Sequence, residues 1–191
     1  MSTITWYFMN MLPCICVVLP IYLLVRMIFV RIKAININWL REIVLLIFIL
    51  YIAGLVSQTI LPDLDIGVDG FRVVVNDTHK TNLIPLKVFY ETYEQVFQRG
   101  NIYYFLINFL GNIVMFAPIG VFLPLLWGLG EKKTLQLGFA SSLFVETCQL
   151  FLVRGTDVDD LILNTTGVLL GLLLLGFIPK NWKMRISNKH S

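Results

Sequence analysis

Five stretches of this chain, residues 6–30, 40–61, 103–127, 135–153 and 161–178, are long and apolar enough to be read as helices crossing a bilayer. About 20 mostly apolar residues span the hydrocarbon core. Inside lipid each backbone N–H and C=O must find its partner within the protein, so the expected class is an all-α, polytopic transmembrane helical bundle of about five spans. Three of the stretches carry residues that a lipid-facing helix avoids. Asn108 and Asn112 interrupt the third, Glu146 and Gln149 the fourth, and Asp157, Asp160 and Asn164 open the fifth. Carboxylates and amides at membrane depth are costly and mark a site or an internal strut.

The composition agrees with the spans: 57% of the residues are hydrophobic and 14% charged. Soluble domains run at about 45–50% and about 25%. The 191 residues divide into two N-terminal spans (1–61), an extracytoplasmic loop (62–102) and a three-span core with a basic tail (103–191). The third span is the least regular. Pro118 and Pro124 each remove a backbone donor, and a bend is expected at Ala117-Pro118-Ile119-Gly120. The first span does not read as a cleaved signal, because no basic residue precedes its apolar run and no small-x-small pattern follows.

Orientation follows from Lys and Arg. With the N-terminus outside, the inward segments hold Arg26, Arg31, Lys33 and Arg41, then Lys132 and Lys133, then Lys180, Lys183, Arg185 and Lys189. The outward loops hold nine acids, among them Asp63, Asp65, Glu91, Glu94, Asp157, Asp159 and Asp160. The expected topology is therefore N-out and C-in. The net charge of +3 hides this split, and no nucleic-acid motif is present. Cys14, Cys16 and Cys148 fall within spans and read as small hydrophobes. His79 and His190 read as solvated.

The outer loop carries Asp63, Asp65 and Asp69, which read as a flexible acidic turn rather than a calcium loop, since Gly67 stands at the third ligand position. Residues 71–76 suit a short strand. Residues 86–99 read as an amphipathic helix in the outer interface, with Leu86, Phe89, Tyr90, Tyr93, Val96 and Phe97 on one side. Asn76-Asp77-Thr78 matches a glycosylation acceptor by chance. Trp6, Tyr103, Tyr104, Trp127 and Trp182 at span ends read as interface anchors.

On this topology the polar residues gather at one depth. Asn108 and Asn112 lie in the outer half of the third span. Glu146 lies about 10 Å below the outer end of the fourth. Asp157, Asp160 and Asn164, spaced i, i+3, i+7, share one helix face. The asymmetry favours a pocket open to the outside over a path through the membrane. The structural alternative stands beside it. Asn, Gln and Glu can bond helices together, Asp157 can cap a helix, Asp160 can favour its dipole, and Arg154 can pair with either acid. Gly167 and Gly171, four apart, allow close helix packing, and Pro85 fixes a turn over the pocket.

These same residues carry a resemblance. Asn82-Leu83-Ile84-Pro85-Leu86, Gly111-Asn112-Ile113-Val114-Met115-Phe116-Ala117-Pro118-Ile119-Gly120, Phe144-Val145-Glu146-Thr147-Cys148-Gln149, and Arg154-Gly155-Thr156-Asp157-Val158-Asp159-Asp160 followed by Asn164-Thr165-Thr166-Gly167 resemble, in order, the four motifs of the VanZ-like family. Leu86 stands where an aromatic is common. The resemblance covers residues 82–171 and leaves out the first two spans. It implies a small multi-pass protein of the bacterial cytoplasmic membrane, in a family whose founding member is linked to teicoplanin resistance. The positions it carries over are Asn82, Asn112, Glu146, Gln149, Asp157, Asp160 and Asn164.

Three readings of function follow. In the first, the pocket binds an amphiphile, either a lipid-linked wall precursor or a lipoglycopeptide, with its chain along the third span near Phe116. In the second, the carboxylates hold a divalent cation for chemistry on a lipid head group. In the third, the protein is a scaffold without a ligand. No cofactor is required by the first or the third.

Overall fold

The computed structural model describes residues 3–34, 36–61, 63–67, 70–74, 82–151 and 155–187. Asn76-Asp77-Thr78, His79, Arg154 and His190, singled out above, lie outside them. The chain forms two units, residues 1–76 with 181–191, and residues 77–180.

In the first unit, α1 (Thr3–Lys33) and α2 (Trp39–Thr59) pack as an antiparallel pair. The direction is visible in three contacts. The Ser57 hydroxyl donates to the Asn10 carbonyl at 2.9 Å, the Cys14 thiol to the Ala53 carbonyl at 3.4 Å, and Arg26 meets Glu42. α2 starts where Asn38 accepts the Arg41 N–H at 3.3 Å, an ordinary N-cap. The C-terminal α8 (Lys180–Ser187) ends on this start: Asn38 Nδ2 donates to the Arg185 carbonyl and Arg41 Nη1 to the Ile186 carbonyl, at 2.7 and 2.9 Å. Between α2 and the second unit runs an antiparallel hairpin, β1 (Asp63–Gly67) and β2 (Gly70–Val74), with Asp63 opposite Val74 and Gly67 opposite Gly70. The class is helical, as expected, with one short hairpin beside the helices. Asp63 and Asp65 of the expected acidic turn lie in β1, and residues 71–74 of the expected strand lie in its partner β2, while Asp69, Val75 and Asn76 lie outside the described residues.

The second unit is built on α5 (Gly111–Trp127), α6 (Glu131–Phe151) and α7 (Val158–Gly176). The closest pair is α5 with α7, and glycine is the reason. A Cβ on Gly171 would stand 1.9 Å from the Ala117 carbonyl oxygen, one on Gly167 2.3 Å from that of Ile113, and one on Gly120 2.1 Å from that of Val168. The backbones touch, as the four-residue glycine spacing predicts. Gly138 gives α6 the same access to the Val168 side chain. α5 remains α-helical through Pro118 and Pro124. The irregularity lies before it, where the turn α4 (Ile102–Tyr104) passes into a π-helical stretch, Phe105–Leu110. A helix does form across the loop segment, as α3 (Lys87–Tyr93) followed by a π turn, Glu94–Gln98. It meets the π stretch through Phe89 and Phe109, whose rings stand edge to face at 5.3 Å.

Among the described residues four helical stretches are long and apolar enough to cross a membrane: Asn10–Lys33, Trp39–Thr59, Ile102–Trp127 and Val158–Gly176. Five were expected. The missing one, at 135–153, is α6. It has the length, but Gln136, Ser141, Ser142, Glu146, Thr147 and Gln149 dilute its apolar character.

Candidate functional site

The polar cluster is assembled at the start of α7. Asn82 bridges to this point as an isolated parallel pair with Asp157: its N–H donates to the Thr156 carbonyl at 2.9 Å and its carbonyl accepts the Val158 N–H at 3.0 Å. Its side chain then locks the same contact, with Nδ2 donating to Asp157 Oδ1 at 2.8 Å and Oδ1 accepting the Ile84 N–H at 3.1 Å. The second bond folds the chain into an Asx-turn ahead of Pro85.

Asp157 is the N-cap of α7, and its Oδ1 also accepts the Asp159 N–H at 2.8 Å. Partial burial pushes the Asp157 carboxyl above its ordinary pKa, against the lowering effect of the Asp159 N–H and Asn82. Glu146, 6% exposed near the end of α6, accepts the Asp157 backbone N–H at 3.1 Å. Asp160, one turn into α7, accepts a short hydrogen bond from Asn112 of α5. One turn deeper, Asn164 is 3% exposed and donates to the Ser142 hydroxyl of α6 at 2.9 Å. Its Oδ1 is buried with no partner among the described residues.

Five of the seven positions singled out by sequence, Asn82, Asn112, Glu146, Asp157 and Asp160, are therefore joined across four segments by direct or backbone hydrogen bonds, with Asn164 tied separately to Ser142, although the bonds alone assign them no ligand. Gln149 lies half-buried one turn beyond Glu146. Asn108 touches the cluster only through its backbone carbonyl, which accepts from Asn112 Nδ2 at 3.3 Å. It is exposed, and its amide bonds back to the Tyr104 carbonyl.

Asp159 was missed. It is 1% exposed, the most buried carboxylate described, and it accepts the Leu86 and Val88 N–H groups at 2.5 and 2.7 Å. Those N–H groups open α3, where Leu86 sits in the left-handed region at φ 66 and supplies no side-chain cap. A usable signal was present: Pro85-Leu86 offers no local acceptor for a helix start, which requires a remote one.

Phe116 itself is 1% exposed, while Val114, two residues before it on α5, is 66% exposed. The open groove of this unit, about 420 Å³, runs between α6 and α7 along Leu135, Phe139, Leu161, Ile162, Thr165, Thr166 and Leu169. Among the described residues no three His, Cys, Asp or Glu side chains form a metal-ligating group.

Residues 48–179 match the model of the VanZ/LLP1 family. The chain belongs to that family. The match begins at Phe48, inside α2, and so reaches further toward the N-terminus than the four motifs. No curated protein matches the chain, and no solved structure does. Together with four apolar helices, membership of the VanZ/LLP1 family makes this a membrane protein.

Proposed function

We propose that this VanZ/LLP1 protein binds the polar head of an amphiphile at Asn82, Asn112, Glu146, Gln149, Asp157, Asp160 and Asn164, and thereby contributes to resistance of the teicoplanin type. The ligand is a lipid-linked cell-wall precursor or the glycopeptide's own lipid-bearing form. One observation carries the reading. Glu146, Asp157 and Asp160 gather around the start of α7, and none forms an ion pair among the described residues. Their bonding partners are amides and backbone N–H groups, so a head rich in N–H and O–H donors complements them. The groove between α6 and α7 begins at Leu161, next in sequence to Asp160, and suits the chain of such a ligand.

The Lys and Arg distribution sets this cluster toward the outer face of the bacterial cytoplasmic membrane. The α3 segment supports the same placement. Phe89, Tyr90, Tyr93 and Phe97 are all exposed on it, the pattern of a helix lying in the interface.

A scaffold role is the second reading, favoured by the full use of Asp159 in holding α3. One experiment separates the two. Susceptibility to teicoplanin and to tail-less vancomycin is measured in cells expressing wild type, Glu146→Gln or Asp157→Asn at equal level. Loss of teicoplanin tolerance alone supports ligand binding. Unchanged susceptibility in both variants removes the site, and a fall in protein level without other effect supports the scaffold.

A further inference from the structure

A second groove lies in the other unit, between α1 and α2. It encloses about 430 Å³ and is walled by Leu23, Met27, Val30, Ile43 and Leu46, with Trp39 at its basic end. Three hydrogen-bond donors line it without acceptors. The Tyr22 hydroxyl is buried and has no partner among the described residues. Arg26 presents its Nε–Nη2 edge to Glu42, at 2.7 and 2.5 Å. Its Nη1 donates to nothing among the described residues, and neither does the Arg31 guanidinium.

Donors without acceptors in an apolar wall specify the missing partner. It must be rich in acceptors, since an unpaired buried donor is unfavourable. It must be anionic, since two guanidiniums face one carboxylate. It must also carry an apolar chain to fill the wall. We propose that this groove binds an anionic phospholipid. The phosphodiester sits between Arg26 Nη1 and Arg31. An ester carbonyl accepts the Tyr22 hydroxyl, which lies one turn of α1, about 6 Å, further from the basic end. One acyl chain runs on from there past Leu23 and Leu46. Arg suits the head because the guanidinium has two donor edges, and Glu42 occupies only one. This site is separate from the acidic cluster and independent of the function proposed there.

The test uses the full-length protein, with native mass spectrometry counting retained phosphatidylglycerol against phosphatidylcholine of the same chains. Wild type should retain phosphatidylglycerol about tenfold better, because the choline cation of the other head offsets the phosphate charge that the two guanidiniums attract. Arg31→Gln should reduce that ratio and Tyr22→Phe should reduce retention of both lipids, each while unfolding like wild type. Arg31 stands near the exposed end of α1, and Tyr22→Phe keeps the ring, so neither change threatens the fold. Equal retention of both lipids by wild type overturns the site, as does an unchanged ratio in Arg31→Gln with unchanged retention in Tyr22→Phe.

Discussion

Asp159 accepts the backbone N–H of Val88 at 2.7 Å, across 71 positions of sequence. With the Leu86 N–H on its other oxygen, this carboxylate serves as the N-terminal cap that α3 lacks. The start of α7 thus fixes the start of the loop helix.

Removing that acceptor leaves two amide N–H groups without a partner, both drawn from a nearly buried site. Asp159→Ala should destabilise the protein by about 2–4 kcal/mol, the range for bonds to a buried charged group. Asp159→Asn should be milder, because the amide oxygen still accepts one of the two. Hydrogen exchange localises the effect: α3 should lose protection before α5 and α7. Equal protection of α3 in wild type and Asp159→Ala would refute the cap.

The contact between α5 and α7 admits no side chain at Gly171. A Cβ there lies 1.9 Å from the Ala117 carbonyl oxygen, and both groups are backbone. Gly171→Val must part the helices, with a loss of at least about 1–3 kcal/mol. Gly176→Val serves as the control, since a Cβ at that position meets nothing within 4 Å. Thermal unfolding in detergent should separate the two variants clearly, and similar melting of both would contradict the packing.

The helices and their close glycine contact were legible because periodicity, length and small-residue spacing are local signals. The gathering of Asn112, Glu146, Asp157 and Asp160 was legible for a different reason: polar residues in apolar segments have few places to go. Three features were not legible. Asp159 was counted as one more loop acid, since its acceptors' partner, a helix start without its own cap, lies 71 positions away. The burial of Phe116 was not legible, since every neighbour in its span is apolar and composition does not say which face packs inward. The hairpin was half visible: a short strand was expected where β2 lies, but the acids of β1 read as a flexible turn.

Asp157 gives the folded state a pH dependence. Burial raises its carboxyl above the ordinary value, so the folded protein holds this proton more tightly than the unfolded chain. Its contribution to stability is greatest below the unfolded pKa and falls as pH rises toward the folded one. Asp157→Asn removes that fall. The amide oxygen can still accept the Asn82 and Asp159 donors, both of which use Oδ1. The variant should therefore match or exceed wild-type stability at neutral pH, with a flatter melting profile between weakly acidic and neutral pH. A steeper profile would reverse the sign.

Ser142 and Asn164 form an isolated polar pair between α6 and α7, and only one side of the Asn164 amide is used. Ser142→Ala strands Nδ2 beside an oxygen that already lacks a partner, which should destabilise by about 1–3 kcal/mol. Replacing both members, as Ser142→Ala with Asn164→Leu, removes the polar groups together and should return stability close to wild type. Chemical unfolding of the two singles and the double measures the coupling directly. The double variant then becomes a tool. If Asn164 Oδ1 receives a donor from the bound head, teicoplanin tolerance is lost in a protein of normal stability. If the double variant is as unstable as Ser142→Ala, the pair is not the isolated strut its geometry describes.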